Sequence, residues 1–486
     1  MKTRTHFVRI FGATVLPLAL IAWATSAHAA TISVNTLLDT AGLDGFCTLR
    51  EAIVAANTDT AVNECPGGSA ADTITFSVSG VITLDSTLGQ LEIGSNITLD
   101  GTGQNVTLSG NGAVRVLLVH TGTTLHLKQL TVANGHVADF PGAIGGGVFN
   151  AGTLTVSDTT FSDNGVVSGF IGIGGAIYSI GALSVSNSTF IQNSAPTHGG
   201  AISLNAGEPT AVPVTINNST FSGNISGQGG AIGSNARLLA ISNSTFSGNI
   251  ASAGSAIHTN TELQLTNTIL ANGVGGSECF GLSGVTASGV NLVEDGSCGF
   301  PDALSGDPAL GPLAHNGGAT MTHALLPGSV AIDPKHNSGC GDFDQRGQPR
   351  PADGDGLGKA ICDIGAYEYA VPFSFSGFLA PVNSPPIVNA VRAGRGVEVR
   401  FGLDGDRGLN IFPAGSPSSQ PMNCDAGAVV VDIEQVVAPH STLSYDPSSD
   451  TYTYVWRTER TWAGTCRQFV LRLADGTYHT ATFLFR

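Results

Sequence analysis

The sequence predicts an all-β chain: a right-handed parallel β-helix, a short helix capping its N-terminal end, and a β-sandwich at the C-terminus. Three observations carry this. First, Gly174-Gly175-Ala176-Ile177 recurs at Gly199 to Ile202 and Gly229 to Ile232, with looser copies at Gly145 to Val148 and Gly254 to Ile257. Second, Asn-Ser-Thr-Phe-x-x-Asn follows at Asn187 to Asn193, Asn218 to Asn224 and Asn243 to Asn249, with weaker copies at Asp158 to Asn164 and Asn267 to Asn272. Third, the stretches between them alternate apolar and polar residues, as in Leu183-Ser184-Val185-Ser186 and Leu239-Ala240-Ile241-Ser242. Alternation with period two marks strands, and a fixed period of two to three dozen residues marks a solenoid.

From Phe161 the steps to Phe190, Phe221, Phe246 and Leu270 are 29, 31, 25 and 24 residues. One such unit cannot fold alone. Burying a Phe and a few aliphatic side chains gains roughly 2 kcal/mol each. Ordering the backbone costs about 1 kcal/mol or more per residue. Stacked coils share their apolar faces, so stability comes from neighbours. The expectation is a ladder in which Phe161, Phe190, Phe221 and Phe246 pile up inside the tube. Asn187, Asn218 and Asn243 should sit at a tight bend, where Asn tolerates left-handed backbone and its amide can bond along a ladder.

The paired motifs resemble the repeats of the polymorphic outer membrane proteins, whose signature is Gly-Gly-Ala-Ile plus Phe-x-x-Asn. The resemblance spans about 130 residues and implies a surface-displayed, adhesive protein.

Residues 1–29 read as a signal peptide. Lys2, Arg4 and Arg9 precede a short apolar core from Ile10 to Trp23, and Ala27-His28-Ala29 supplies a cleavage site. The core is too short for a membrane span, and no transmembrane segment is expected in the mature chain. The formal charge of −16 grows more negative without the leader, which argues against a nucleic-acid partner. Eight cysteines fall in four local couples: Cys47 and Cys65, Cys279 and Cys298, Cys340 and Cys362, Cys424 and Cys466. An exported chain meets an oxidising compartment, so four local disulfides are expected.

Residues 30–71 read as an N-terminal cap. Thr48-Leu49-Arg50-Glu51 is a capping box, and Leu49, Ala52, Ile53 and Ala56 share one helical face. Arg50 and Glu51 are expected to be a structural pair. The string Cys47-Thr48-Leu49-Arg50-Glu51-Ala52-Ile53 resembles the domain named for Cys-Ser-Leu-Arg-Glu-Ala, with Thr48 in place of Ser. That resemblance implies an exported bacterial β-helix protein.

Residues 72–369 are expected to be β-helix with a terminal coil. Pro327-Gly328-Ser329-Val330-Ala331-Ile332-Asp333, Asp344 to Arg350 and Cys362 to Glu368 resemble the closing segment of the choice-of-anchor Q family. Arg346 and Arg350 should pair with Asp333, Asp342, Asp344 or Asp363. Asp353-Gly354-Asp355-Gly356 offers alternating carboxylates, so calcium is the one cofactor to weigh there, against a solvated turn.

Residues 370–386, rich in Pro, Ser, Asn and Gly, read as a linker. Residues 387–486 hold strand-like runs such as Val397 to Phe401 and Phe469 to Leu473, as expected of a sandwich. Ala393 to Leu403, Gly408 to Phe412 and Trp462 to Arg467 resemble the exported module named for Pro-x-Lys-Phe, with Glu398-Val399-Arg400-Phe401 at the naming motif. Trp456, Trp462 and the nearby tyrosines are core residues or a sugar platform.

The sequence carries no His-Glu-x-x-His, phosphate loop or Gly-x-Ser-x-Gly elbow. His198 and His258 suit a solvated turn. Pectin-lyase-like solenoids also host polysaccharide lyases and hydrolases, which need clustered carboxylates. The repeats offer only Asp158, Asp163, Glu208 and Glu262, with Asp100 and Asp139 on neighbouring coils. Asp158 and Asp163 are therefore the catalytic candidates of an alternative reading. The leading expectation is a non-catalytic protein of the bacterial exterior or outer-membrane surface. Its flat Asn, Ser and Thr face would engage a glycan or cell-surface partner. A structural envelope component is a third reading.

Overall fold

The computed structural model describes residues 29–486 apart from 139–142, 168–170, 206–213, 236–237, 338, 410, 413–414, 425–428, 434–441 and 476. The signal-peptide expectation and two of the candidate carboxylates, Asp139 and Glu208, lie outside the described residues. Among the described residues the chain is a parallel β-helix followed by a two-stranded pair, Leu310–Ala314 with Thr322–Leu325, and two further small sheets. Four parallel sheets run along the tube, with ten, nine, eight and six strands among the described residues. One coil illustrates the circuit. Val148–Asn150 lies in the eight-stranded sheet, Thr153–Ser157 in the ten-stranded, Thr160–Ser162 in the nine-stranded and Gly165–Val166 in the six-stranded.

Register is strict, because a slip by one residue would turn the apolar set outward. Phe161 pairs with Phe190, Phe190 with Phe221, and Phe221 with Phe246. The rings are fully buried and lie parallel, with centroids 4.9, 4.7 and 4.5 Å apart. Val132 and Leu270 continue the stack.

The corners explain the repeated motif letter by letter. Its first Asn turns the chain between the ten- and nine-stranded sheets: Asn187, Asn218 and Asn243 have φ of 49°, 47° and 48°. Gln129, Asp158 and Asn267 hold the same left-handed corner on other coils. Ser forms a buried ladder, Ser188 Oγ accepting from Thr159 N and Ser219 Oγ from Ser188 N. The last Asn forms the continuous amide ladder. Asn193 Oδ1 accepts from Asn164 N and Nδ2, and Asn224 Oδ1 does the same for Asn193. Asn193 Nδ2 donates to Phe161 O, tying ladder to ring stack. The continuous amide ladder runs through Asn164, Asn193, Asn224 and Asn249, whereas at the expected corner position bonding along the stack is partial, with Asn187 bonded to Asp158 and Asn267 Nδ2 donating to Asn243 Oδ1. At the third corner, Gly199 has φ of 63° and an added Cβ would stand 2.1 Å from Ile202 O, so only Gly fits.

The helix α1, Leu49–Thr58, covers the N-terminal end of the tube. Thr48 caps it, and Glu51 closes the capping box. Leu49, Ala52, Ile53 and Ala56 join the tube core. Arg50 and Glu51 do not pair with each other. Arg50 binds Asp39 at 2.8 Å, whereas buried Glu51 accepts from Thr48 N, Gly42 N and Asn63 Nδ2. The carboxylate of Glu51, at the third helical position, already accepts from two backbone and two side-chain donors, so the guanidinium goes elsewhere. The β-helix also begins before residue 72: Thr31–Val34 pairs in parallel with Asp72–Phe76.

The closing segment differs most from expectation. It is not a coil. Residues 320 to 366 run back across the nine-stranded face as a strap. Thr189 Oγ1 donates to Met321 O, Asn218 Nδ2 to Phe343 O, and Ala366 N to Thr245 Oγ1. Outward Thr189, Thr220 and Thr245 are buried beneath it.

The C-terminal sheets, of four and five strands, are mainly antiparallel and enclose a core of Phe401, Tyr452, Trp456, Phe469, Phe483 and Phe485. Residues 370–386 are no free linker. Val382 is buried in that core, Phe373, Phe375 and Phe378 pack on it, and Phe378–Leu379 pairs with Gly396–Phe401. The aromatic residues outweigh the Pro and Gly content that suggests a linker.

Candidate functional site

The strap decides which polar face can meet a partner. It lies over the nine-stranded sheet along the coils of Thr189, Thr220 and Thr245 and leaves the ten-stranded sheet open. Along that open face, residues at equivalent positions form rows. Thr98, His126, Thr155, Ser184, Thr215, Ala240, Gln264 and Thr286 make one, in unbroken register. Ser157, Ser186, Asn217, Ser242, Thr266 and Ser288 make a second. Ser184, Thr215 and Thr286 are exposed, and the other members of the first row are half-buried. Neighbouring strands stand about 4.8 Å apart, so hydroxyl and amide groups recur at that interval.

The two carboxylates singled out by the sequence do not converge. Asp158 (φ 50°) occupies the corner before Thr160–Ser162, and Asp163 (φ 54°) the corner after it. Asp158 bonds with Asn187, and burial raises its pKa against the opposing pull of Lys128 and His126. Lys128 Nζ donates to Asp100 Oδ2 at 3.0 Å, so Asp100 is held by a cation. Burial lowers the pKa of His126.

Three carboxylates do meet elsewhere. Asp333, Asp353 and Asp355 each offer an oxygen within 4.8 Å of the others. Sequence spacing found Asp353 and Asp355; Asp333, 20 residues earlier, carries no local signal. Asp333 Oδ2 accepts from Gly354 N and Asp355 N, and Oδ1 from Ile361 N. Burial nevertheless raises its pKa. The turn is therefore held by backbone donors, with Asp353 Oδ1 left without a partner.

Arg346 pairs with Asp344 at 2.6 Å, within the expected set, and stacks on Tyr367 at 3.5 Å. Arg350 corrects the expectation: its carboxylate is Glu368, at 3.4 Å. Glu368 accepts from Ala352 N and Asp363 N. Burial raises the pKa of both Glu368 and Asp363, and their mutual repulsion adds to the shift of Asp363. These groups fasten the strap.

Cys47 is joined to Cys65, Cys279 to Cys298, Cys340 to Cys362 and Cys424 to Cys466. His258 is buried rather than solvated. Its ring stacks on Phe280 and meets His198 edge-on, each at 5.7 Å. Gly233, on the intervening strand, leaves room for the two imidazoles to meet. Trp456 lies in the sandwich core, and Trp462 packs against it beneath Arg467.

The Chlamydia polymorphic membrane protein repeat matches residues 187–205. Those residues hold one Asn-Ser-Thr-Phe-x-x-Asn motif and the Gly-Gly-Ala-Ile corner that follows. The major allergen from cedar pollen, Jun a 1, is similar in structure with a TM-score of 0.36 and 14% identity, over 57% of this chain and 80% of that one. Comparison with curated proteins gives no match. Within this β-helix, residues 187–205 are therefore similar to a polymorphic membrane protein repeat. No helix among the described residues is long and apolar enough to cross a membrane.

Proposed function

We propose that this chain is an exported bacterial surface protein, non-catalytic, whose ten-stranded face engages a glycan or cell-surface partner. The observation that carries this is the pair of in-register rows, mostly of hydroxyl and amide groups, on a wide face that the strap leaves open. A rigid row of donors and acceptors matches a repeating polymer without loss of side-chain entropy at each contact. Four disulfides suit an oxidising exterior compartment. The test is adhesion of the intact chain to cells and immobilised glycans. Ser184→Arg with Thr215→Arg, both on exposed positions, should abolish it without lowering the melting temperature. Adhesion unchanged by that double substitution overturns the reading.

A second reading rests on Asp158. Its raised pKa beside His126 and Lys128 is what a general acid in polysaccharide cleavage needs. Product release from uronic-acid or neutral polymers, abolished by Asp158→Ala and spared by Asp163→Ala, would support it over the binding reading.

A further inference from the structure

A cleft of about 840 Å³ opens where the tube, the strap and the C-terminal sheets meet. Gly317, Arg346, Tyr367, Arg472, Asp475 and Tyr478 line it. The volume is that of a small-ligand site. Its wall is largely polar.

Arg472 is the group to explain. The strap holds it: with the Gln348 amide oriented to satisfy both neighbours, Nε2 donates to Ala474 O and Oε1 accepts from Arg472 Nη2 at 2.5 Å. Arg472 Nε is buried without a partner. Among the described residues Arg472 forms no ion pair, although the chain is strongly acidic overall. Arg346, by contrast, is neutralised by Asp344 and covered by Tyr367. The chain is also shaped to reach Arg472. An added Cβ on Gly317 (φ 92°) would stand 2.8 Å from Arg472 Nη2, and one on Gly318 (φ 88°) 2.6 Å from Arg346 Cα. Both positions therefore need glycine.

The rest of the wall sets the ligand class. Tyr478 is 56% exposed with its ring 5.6 Å from the Arg472 guanidinium. It offers an aromatic face beside a positive charge. Asp475 is fixed by Thr477 N and Thr477 Oγ1 on Oδ1 and by Phe373 N on Oδ2, which leaves Oδ2 one further site for a hydroxyl donor. A ligand that satisfies all three has a carboxylate for the guanidinium, a hydroxyl for Asp475 and a flat C–H face for Tyr478. We propose that this junction cleft binds an acidic saccharide, its carboxylate on Arg472 and its ring against Tyr478. This deepens the glycan-binding reading and rests on it, but places the acidic sugar at the junction rather than on the ten-stranded face.

The test is calorimetric titration of the full mature chain with trigalacturonate, a hyaluronan tetrasaccharide and sialyllactose. Methyl-esterified trigalacturonate and chitotriose serve as uncharged counterparts. At least one acidic probe should bind saturably, and its uncharged counterpart at least about tenfold more weakly. Arg472→Gln should weaken the acidic probe by at least about tenfold and leave the counterpart unchanged. Tyr478→Ala, at an exposed position, should weaken both without altering the melting temperature. Failure of all three acidic probes, or binding that survives Arg472→Gln, overturns the junction site. If the junction fails while the intact chain still adheres to glycans through Ser184 and Thr215, the surface reading stands. If the intact chain adheres to nothing, both fall.

Discussion

Gln345 Oε1 accepts from Thr220 Oγ1 at 2.6 Å, across 125 residues of chain, while Gln345 Nε2 donates to Thr189 Oγ1 at 2.9 Å. One amide therefore clasps two successive coils. All three groups are buried. The threonines that a bare solenoid would show to solvent are spent on the strap, which is why the open face is the ten-stranded one.

Replacing Gln345 with Leu should detach the strap before it melts the tube. The substitution takes the acceptor from the buried Thr220 hydroxyl, at about 1–3 kcal/mol for the unsatisfied group, while Thr189 keeps its bond to Met321 O. Hydrogen exchange should quicken in residues 320 to 366 with little change in the strands around Phe190. Equal acceleration in both would show that strap and tube open together.

Phe221→Ala removes the ring between Phe190 and Phe246 and leaves a cavity that strict register cannot close. A cost of about 3–5 kcal/mol is expected in urea unfolding. Phe221→Leu should cost much less, since Leu270 already continues the same stack.

How much of this was legible follows from which contacts are periodic. The phenylalanine stack, the glycine corners and the capping box showed in the sequence because each repeats or sits within four residues of its partner. Thr31–Val34 escaped notice as a first strand because one strand of alternation has no copy beside it. The strap stayed hidden because its partners are polar and more than 100 residues away, as Thr220 and Gln345 are. Arg350 and Glu368 are only 18 residues apart, so distance is not what hides that pair. Nothing local distinguishes Glu368 from the four acidic residues nearer the eye. The junction cleft needs three segments at once, and no spacing announces it.

The two asparagines of one motif should respond unequally to substitution. Asn187 holds a left-handed corner with φ of 49°. Asn187→Gly should cost no more than about 1 kcal/mol, because Gly adopts that backbone freely and only the side-chain bond to Asp158 is lost. Asn193→Gly breaks bonds to Phe161 O and Asn224 Oδ1 inside the tube. It should cost at least about 2 kcal/mol, as buried amide partners are left unpaired. Thermal melts of the two variants decide this; similar losses would assign the ladder and the corner equal weight.

Alkaline pH should loosen the far end of the tube. Burial raises the pKa of Glu278 from about 4.5 to about 7, although Gly273 N and Ser255 Oγ donate to it. Asp295 and Glu294 nearby push in the same direction as burial. A raised pKa means that the folded chain holds the proton more tightly than the unfolded chain does. The stabilising contribution is therefore complete below about pH 4.5 and is lost as pH rises through 7. Asp363 and Glu368, raised by burial, act in the same sense at the strap. Melting temperature should fall between pH 5 and 8.5, and Glu278→Gln should flatten that fall by keeping the hydrogen-bonding shape without the charge. A Glu278→Gln profile parallel to that of the parent chain would assign the pH dependence to the strap carboxylates instead.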